Sequence, residues 1–229
     1  MITLSKLTPD RIKHIIATRS GYRNIMNRLR YGPLAPKTSM HIKISPTDLH
    51  MRYHVHANNG RQIHHWETGL VINGDWDLSA RAFDVSAKYT SCKQHFLEGK
   101  PWVETSAWKY GLQRIAKLGK YDACTNEDDL MRRYERLDEL FEIAQSAKAL
   151  PATLHHKTTS RTGLLVHINR EGELLFGNQG FHRLSIAKLA ELPEIVVVVG
   201  IVHPDALQTE AYKKLLGKRV NLAPPQPTQ

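Results

Sequence analysis

The segment Gly177-Asn178-Gln179-Gly180-Phe181-His182-Arg183 packs two glycines, an imidazole and a guanidinium into seven residues. It stands between ELLF, which reads as a strand, and residues 180 to 190, whose Leu184, Ile186, Ala187 and Leu189 favour a helix. A helix starting near Gly180 leaves its first backbone N–H groups without intrahelical partners, and its aligned peptide dipoles attract an anion. Gly177 and Gly180 permit close approach to the backbone, where successive amides can form an anion nest. Arg183 in the first turn can grip a phosphate with two hydrogen bonds. His182 can donate to a phosphate oxygen or carry a proton near neutral pH. The competing reading is a tight turn, with glycines there for geometry and an arginine paired to an acid. No Gly-Lys-Ser/Thr follows, so this is not a Walker loop, and the G-x-G-x-x-G spacing is absent. A G-x-x-G also clamps RNA in KH domains, but that clamp joins two helices, whereas here a strand precedes it.

Other groups offer chemistry at lower specificity. Asp75-Trp76-Asp77 places two carboxylates and an indole in a turn. The carboxylates can hold Mg²⁺ or act as a base, and the ring can stack on a nucleobase. A turn rich in Asn, Gly and Asp also needs no function. Glu98 and Glu104 are weaker base candidates. His54 and His56 fall on one face if their segment is a strand, with His64-His65 across a hairpin. That is the beginning of a transition-metal site, although no cysteine or well-spaced acid completes it. His167 alternates along its strand toward the GNQGFHR turn, as a structural histidine or as part of the site.

Charge divides the chain. Residues 1 to 65 hold 11 Lys/Arg against Asp10 and Asp48, whereas the remainder is nearly neutral, so the net +10 is an N-terminal property. A basic segment can neutralise nucleic-acid phosphates, anionic lipid or an acidic partner, or simply be a solvated surface. No run approaches the ~18 apolar residues of a membrane span, and MITLSKLTPDRIK has no apolar signal core. Two cysteines, Cys92 and Cys124, make neither a disulfide framework nor a four-cysteine metal site. The expected compartment is the cytoplasm.

The elements that must position these residues follow from pattern. PDRIKHIIATRSGYRNIMNRLR reads as a basic amphipathic helix, or a pair broken at Ser20-Gly21. HIKISP, MRYHVHA and RQIHHWETGLVI alternate like strands, with Asn58-Asn59-Gly60 as a hairpin turn. Three helices are expected next: residues 84 to 98 stopping at Gly99, TSAWKYGLQRIAKLG, and about Asn126 to Ala149. The last has an apolar stripe through Leu130, Tyr134, Leu137, Phe141 and Ala144. It adds an acidic first turn and four-apart pairs Asp128–Arg132 and Asp129–Arg133. After HHKTTSRTG come LLVHI, a turn at Glu171-Gly172, ELLF, the helix, and the β-branched strand IVVVVGIV. NLAPPQPTQ reads as a frayed tail.

VHINREGELLFGNQGFHRLSIAKLAELPEIVVVVGIVHP resembles the core of the ParB/sulfiredoxin-like superfamily over about 40 residues. Members carry a strand, an Asp-Gly or Glu-Gly turn, a second strand, a Gly-x-His-Arg or Gly-x-Arg-Arg motif opening a helix, and a further strand. The resemblance implies that Gly180, His182 and Arg183 contact phosphates of a nucleotide such as ATP, ADP or CTP, with Gly177 in the same cradle. Phe181 stands where sulfiredoxins have their reactive cysteine, which excludes sulfinic-acid reduction through that residue. His182-Arg183 replaces the paired arginines of partition-type ParB proteins, and too little chain follows Val199 for their DNA-binding domain. The Gly-x-His-Arg form is similar to a small-molecule kinase branch whose members phosphorylate free serine. GDWD and HFLEGKPWVET further resemble a group of microbial proteins with the same C-terminal module.

The expected fold is α+β. A basic helical segment (1–37) and a small β region followed by helices (38–150) precede a ParB/sulfiredoxin-like mixed sheet with short helices (151–220) and a flexible tail (221–229). The expected function is binding of a nucleotide or other phosphorylated ligand, with phosphotransfer to a small hydroxyl compound as its catalytic form. In that form Asp75, Asp77 and His182 are the catalytic candidates, and Asp75 and Asp77 hold Mg²⁺. The alternative is a non-catalytic regulatory protein that holds nucleic acid through residues 1–65.

Overall fold

The β-branched run Ile195–Val202 forms β6, an eight-residue strand buried almost throughout. A strand flanked on both sides and covered on both faces has no use for polar side chains, which explains its unbroken hydrophobicity. The computed structural model describes residues 9–58, 61–151 and 163–221. Strands β1 (His41–Ile44), β2 (Met51–Arg52), β3 (Arg81–Ala82), β4 (Leu165–Ile168), β5 (Leu174–Phe176) and β7 (Arg219–Val220) join β6 in one mixed sheet, in the order β3-β2-β5-β4-β6-β1-β7. The pairs β4–β6 and β2–β5 are parallel and the others antiparallel.

Six helices complete an α+β fold: α1 (Pro9–Tyr31), α2 (Ala87–Phe96), α3 (Ser106–Leu118), α4 (Glu127–Ala147), α5 (Phe181–Leu189) and α6 (Glu210–Gly217). Local chemistry sets several ends. Ser86, Thr105, Asn126 and Thr209 each accept a backbone N–H at a helix start, and Gly119 closes α3 at φ +74°. The α4 stripe Leu130, Tyr134, Leu137, Phe141 and Ala144 is buried as its spacing requires. The sheet alternates in the same way. Val166, Ile168, Phe176, Val197 and Val199 face the helical layer, whereas Leu175 and Ile201 join Tyr53, Ile63 and Trp76 on the opposite face.

The sequence expectations fail in specific places. MRYHVHA is paired only over Met51–Arg52, because Asn58 then draws the chain into a 3₁₀ turn by donating to the carbonyls of His54 and Trp76. RQIHHWETGLVI is likewise a loop with a 3₁₀ turn at His65–Glu67. The Glu67 carboxylate accepts from the His64 N–H and pairs with Arg61, and only Val71 bridges to the sheet. Of the two readings of the first helix, the unbroken one is formed, since α1 runs through Ser20-Gly21. Arg132 pairs with Asp129, three residues back, and Arg133 reaches Asp122. The sheet takes strands from both sides of residue 150. Residues 1–8, Asn59-Gly60 of the expected hairpin turn, 152–162 and 222–229 lie outside the described residues.

Candidate anion site at the start of helix α5

Strand β5 ends at Phe176, and the next four residues turn the chain into α5. The Gly177 N–H donates to the Leu165 carbonyl at 2.8 Å. Asn178, at φ +62°, is pinned by its Nδ2 donating to the Tyr53 carbonyl at 2.7 Å. Gly180 is the N-cap of α5 at φ +86°, and a Cβ there would lie 2.1 Å from the Gly163 carbonyl oxygen. A Cβ on Gly177 would press on the His167 ring at 3.0 Å. Both glycines therefore answer to close packing. The N-cap of α5 is a glycine and has no side chain to cap the helix, so the positive end of the helix dipole lies at the turn.

Arg52 approaches this end, with Arg81 beside it. Arg52 on β2 and Arg81 on β3 are directly opposite in an antiparallel ladder, so their side chains share a face. The Arg52 guanidinium lies 6.0 Å from the ring of Phe181, the first residue of α5. Phe181 is itself fixed by stacking on Phe83 at 4.8 Å and by edge contact with Phe176. Arg52 Nε is buried with no hydrogen-bond partner, and among the described residues neither arginine has a carboxylate partner. Burial, and then the charge of Arg81, lower the Arg52 pKa. The His54 imidazole is also lowered, first by desolvation and then by Arg81 and Arg52. Arg52 and Arg81 thus form a group of like positive charge beside His54 on this edge of the sheet.

The two charged residues of the motif point elsewhere. The His182 ring is buried in the helical layer, 6.0 Å from the Tyr134 ring, and it faces a cluster formed by Lys88, Asp122 and Arg133. Burial, then Lys88 and Arg133, lower it to about 3 against the pull of Asp122, and its Nε2 has no partner. It is buried in the helical layer and held neutral at pH 7. Asp122 receives Lys88 Nζ at 2.6 Å and Arg133 at 3.5 Å. These cations outweigh the upward effect of burial and hold the carboxyl below its usual range. Arg183 donates to the Pro151 carbonyl, and desolvation lowers it to about 10.

Asp75 and Asp77 are not gathered at this turn. The Asp77 carboxylate accepts the backbone N–H, Nε and NH2 of Arg170 at 2.8–3.0 Å, and Asp75 accepts the same NH2 at 2.9 Å. Burial alone would raise the Asp77 carboxyl, but these Arg170 hydrogen bonds outweigh it and hold it below the usual range. Arg170 sits in the β4–β5 turn, at the other end of that hairpin from Gly177–Gly180. At ~3.3 Å per residue, three-residue β5 keeps the two ends on the order of 10 Å apart. Asp77 is buried and paired to the Arg170 guanidinium, and the exposed Asp75 shares it, so neither carboxylate stands at the α5 turn.

Among the described residues no group of three or more His, Cys, Asp or Glu is arranged to hold a metal. His54 and His56 stand 6.2 Å apart between ring centroids, and His64 stacks on Trp66 at 4.1 Å. Glu98 and Glu104 are exposed around the α2–α3 connection. His167 does approach the turn. It is fully buried between Gly177 and Gly200, where a Cβ would come within 3.0 and 2.5 Å of its ring, and burial lowers it to about 3. Its Nδ1 accepts from the Ile201 N–H at 3.3 Å and its Nε2 has no partner.

No family model, curated protein or solved structure matches this chain at a significant level.

Proposed function

We propose that the chain binds a phosphate-bearing small molecule at the start of α5, a nucleotide in the reading that the ParB/sulfiredoxin resemblance implies. The observation that carries this is the Arg52–Arg81 pair, two like charges directly opposite each other near a helix start with a glycine N-cap, with no carboxylate partner for either among the described residues. Like charges in that position destabilise a sheet, by roughly 0.2–1 kcal/mol in the magnitude typical of cross-strand pairs. An anion carrying two or more charges reverses that cost. Guanidinium groups match phosphate oxygens with paired hydrogen bonds, and the helix dipole adds a fixed positive end. Gly180 brings the backbone close, Phe181 orients the approach of Arg52, and Arg183 and His182 support the turn from within.

Binding is the core of this reading. Phosphoryl transfer also requires a group that accepts the attacking hydroxyl's proton, and the clamp on Arg170 takes Asp75 and Asp77 out of that position. The test is isothermal titration of the full chain with ATP, ADP and CTP, with and without Mg²⁺. Binding that falls tenfold or more, about 1.4 kcal/mol, in Arg52→Ala supports the site. No binding by the wild type, or equal binding by Arg52→Ala and Arg81→Ala, rejects it. Transfer of labelled γ-phosphate to free serine in the same samples checks the catalytic form.

A further inference from the structure

Over residues 20–31, helix α1 turns part of its polar face to the protein and part of its apolar face outward. Asn27 is buried, with Nδ2 donating to the carbonyls of Pro36 at 2.8 Å and Gly69 at 2.6 Å. Asn24 exchanges hydrogen bonds with Thr38, and Arg23 donates to the carbonyls of Trp66 and Thr68. The outward side carries Tyr22, Ile25, Met26 and Leu29, which are 67%, 62%, 43% and 75% exposed. These positions are i, i+3, i+4 and i+7, the spacing by which a surface helix normally buries its apolar stripe. Arg28 and Arg30 are exposed beside them, and Trp66, held through its carbonyl by Arg23, adds an exposed indole. A contiguous apolar patch rimmed by cations marks a contact surface.

We propose that this face of α1 seats the protein on an anionic lipid surface. The helix sequence has six Lys/Arg against Asp10 alone, and the segment around it carries almost all the excess positive charge of the chain. A second copy would bring two such segments together and repel. A nucleic acid satisfies the arginines, and its bases stack on aromatic rings, but it gives the aliphatic Ile25, Met26 and Leu29 no hydrocarbon to enter. The headgroup–acyl boundary of a negatively charged bilayer takes both parts. Aliphatic side chains enter the acyl edge, Tyr and Trp rings rest at the interface, and arginines meet lipid phosphates. No helix among the described residues is long and apolar enough to cross a membrane, so α1 lies on the surface. The hydrogen bonds of Asn24 and Asn27 fix its roll, which aims the stripe outward.

The experiment is co-sedimentation of the full chain with vesicles of phosphatidylcholine alone and of phosphatidylcholine with about 30% phosphatidylglycerol. Partition onto the anionic vesicles should exceed that onto neutral ones by about tenfold or more at low salt, and should fall as salt screens the arginines. The double variant Ile25→Glu/Leu29→Glu, at two exposed sites, should lose this partition with an unchanged circular dichroism spectrum and nucleotide titration. No partition by the wild type, or equal partition by the variant, overturns the proposal. So does a dimer in sedimentation velocity that the variant abolishes, or a matching loss of binding to a single-stranded oligonucleotide without lipid binding. The nucleotide titration is read separately, so failure here leaves the α5 site untouched.

Discussion

Arg52 and Arg81 occupy directly opposed positions on β2 and β3, and Arg52 leans over the first ring of α5. Two guanidiniums without a carboxylate partner are a cost to the free protein and an asset to a complex. Arg81→Glu should therefore raise the melting temperature by a few degrees, as a repulsive cross-strand pair becomes attractive, and abolish anion binding. A differential-scanning melt beside the nucleotide titration reads both. Loss of stability together with loss of binding would mean that Arg81 is merely structural.

The turn into α5 should tolerate nothing larger than glycine. Gly180→Ala combines a left-handed φ with a methyl placed on the Gly163 carbonyl, and should cost at least about 2 kcal/mol in a urea midpoint. Gly200→Ala meets His167 instead. His167→Ala in the same chain should recover roughly 1 kcal/mol or more of that loss, a coupling absent between Gly180→Ala and His167→Ala.

Acid should weaken the fold earlier than its carboxylates predict. His167 and His182 are held neutral, each near 3, whereas an unfolded histidine titrates near 6.5. The folded state thus binds fewer protons, so stability is complete above about pH 6.5 and declines as pH falls from there toward 3. By pH 5 each histidine costs on the order of 2 kcal/mol. Asp122, depressed by Lys88 and Arg133, contributes stability that is fully present above about pH 4 and lost only as pH falls below it, so it leaves the slope between pH 5 and about 6.5 to the histidines. His182→Gln should flatten the urea-midpoint slope between pH 5 and about 6.5. An unchanged slope would place the titration elsewhere.

The Arg170 clamp predicts an asymmetry between its two acids. The Asp77 side chain is 2% exposed and that of Asp75 is 80% exposed. Asp77→Ala leaves Arg170 half-buried without its main partner and should cost about 2–4 kcal/mol, whereas Asp75→Ala should cost under about 1 kcal/mol. Neither change should alter nucleotide affinity in titration, since both acids belong to the far end of the β4–β5 hairpin.

Local physics was readable from the chain alone. The IVVVVGIV strand, the α4 stripe, the Asn126 and Gly119 caps and the strand–turn–helix at GNQGFHR depend on neighbours a few residues away, and all are present. The unequal charge is likewise a property of the sequence itself. Tertiary structure decided which side of each element faces what. His182 carries the same imidazole in either orientation, but packing of α5 on α2 and α4 turned it inward and neutral. Asp75 and Asp77 were two acids in a turn until Arg170, 93 residues from Asp77, closed on them. Arg52 and Arg81 lay in unrelated stretches until a two-residue ladder set them opposite, and α1 showed apolar residues without revealing that part of its polar face is turned to the protein. Periodicity reports a face, and only long-range contacts, which local spacing does not encode, report what that face meets.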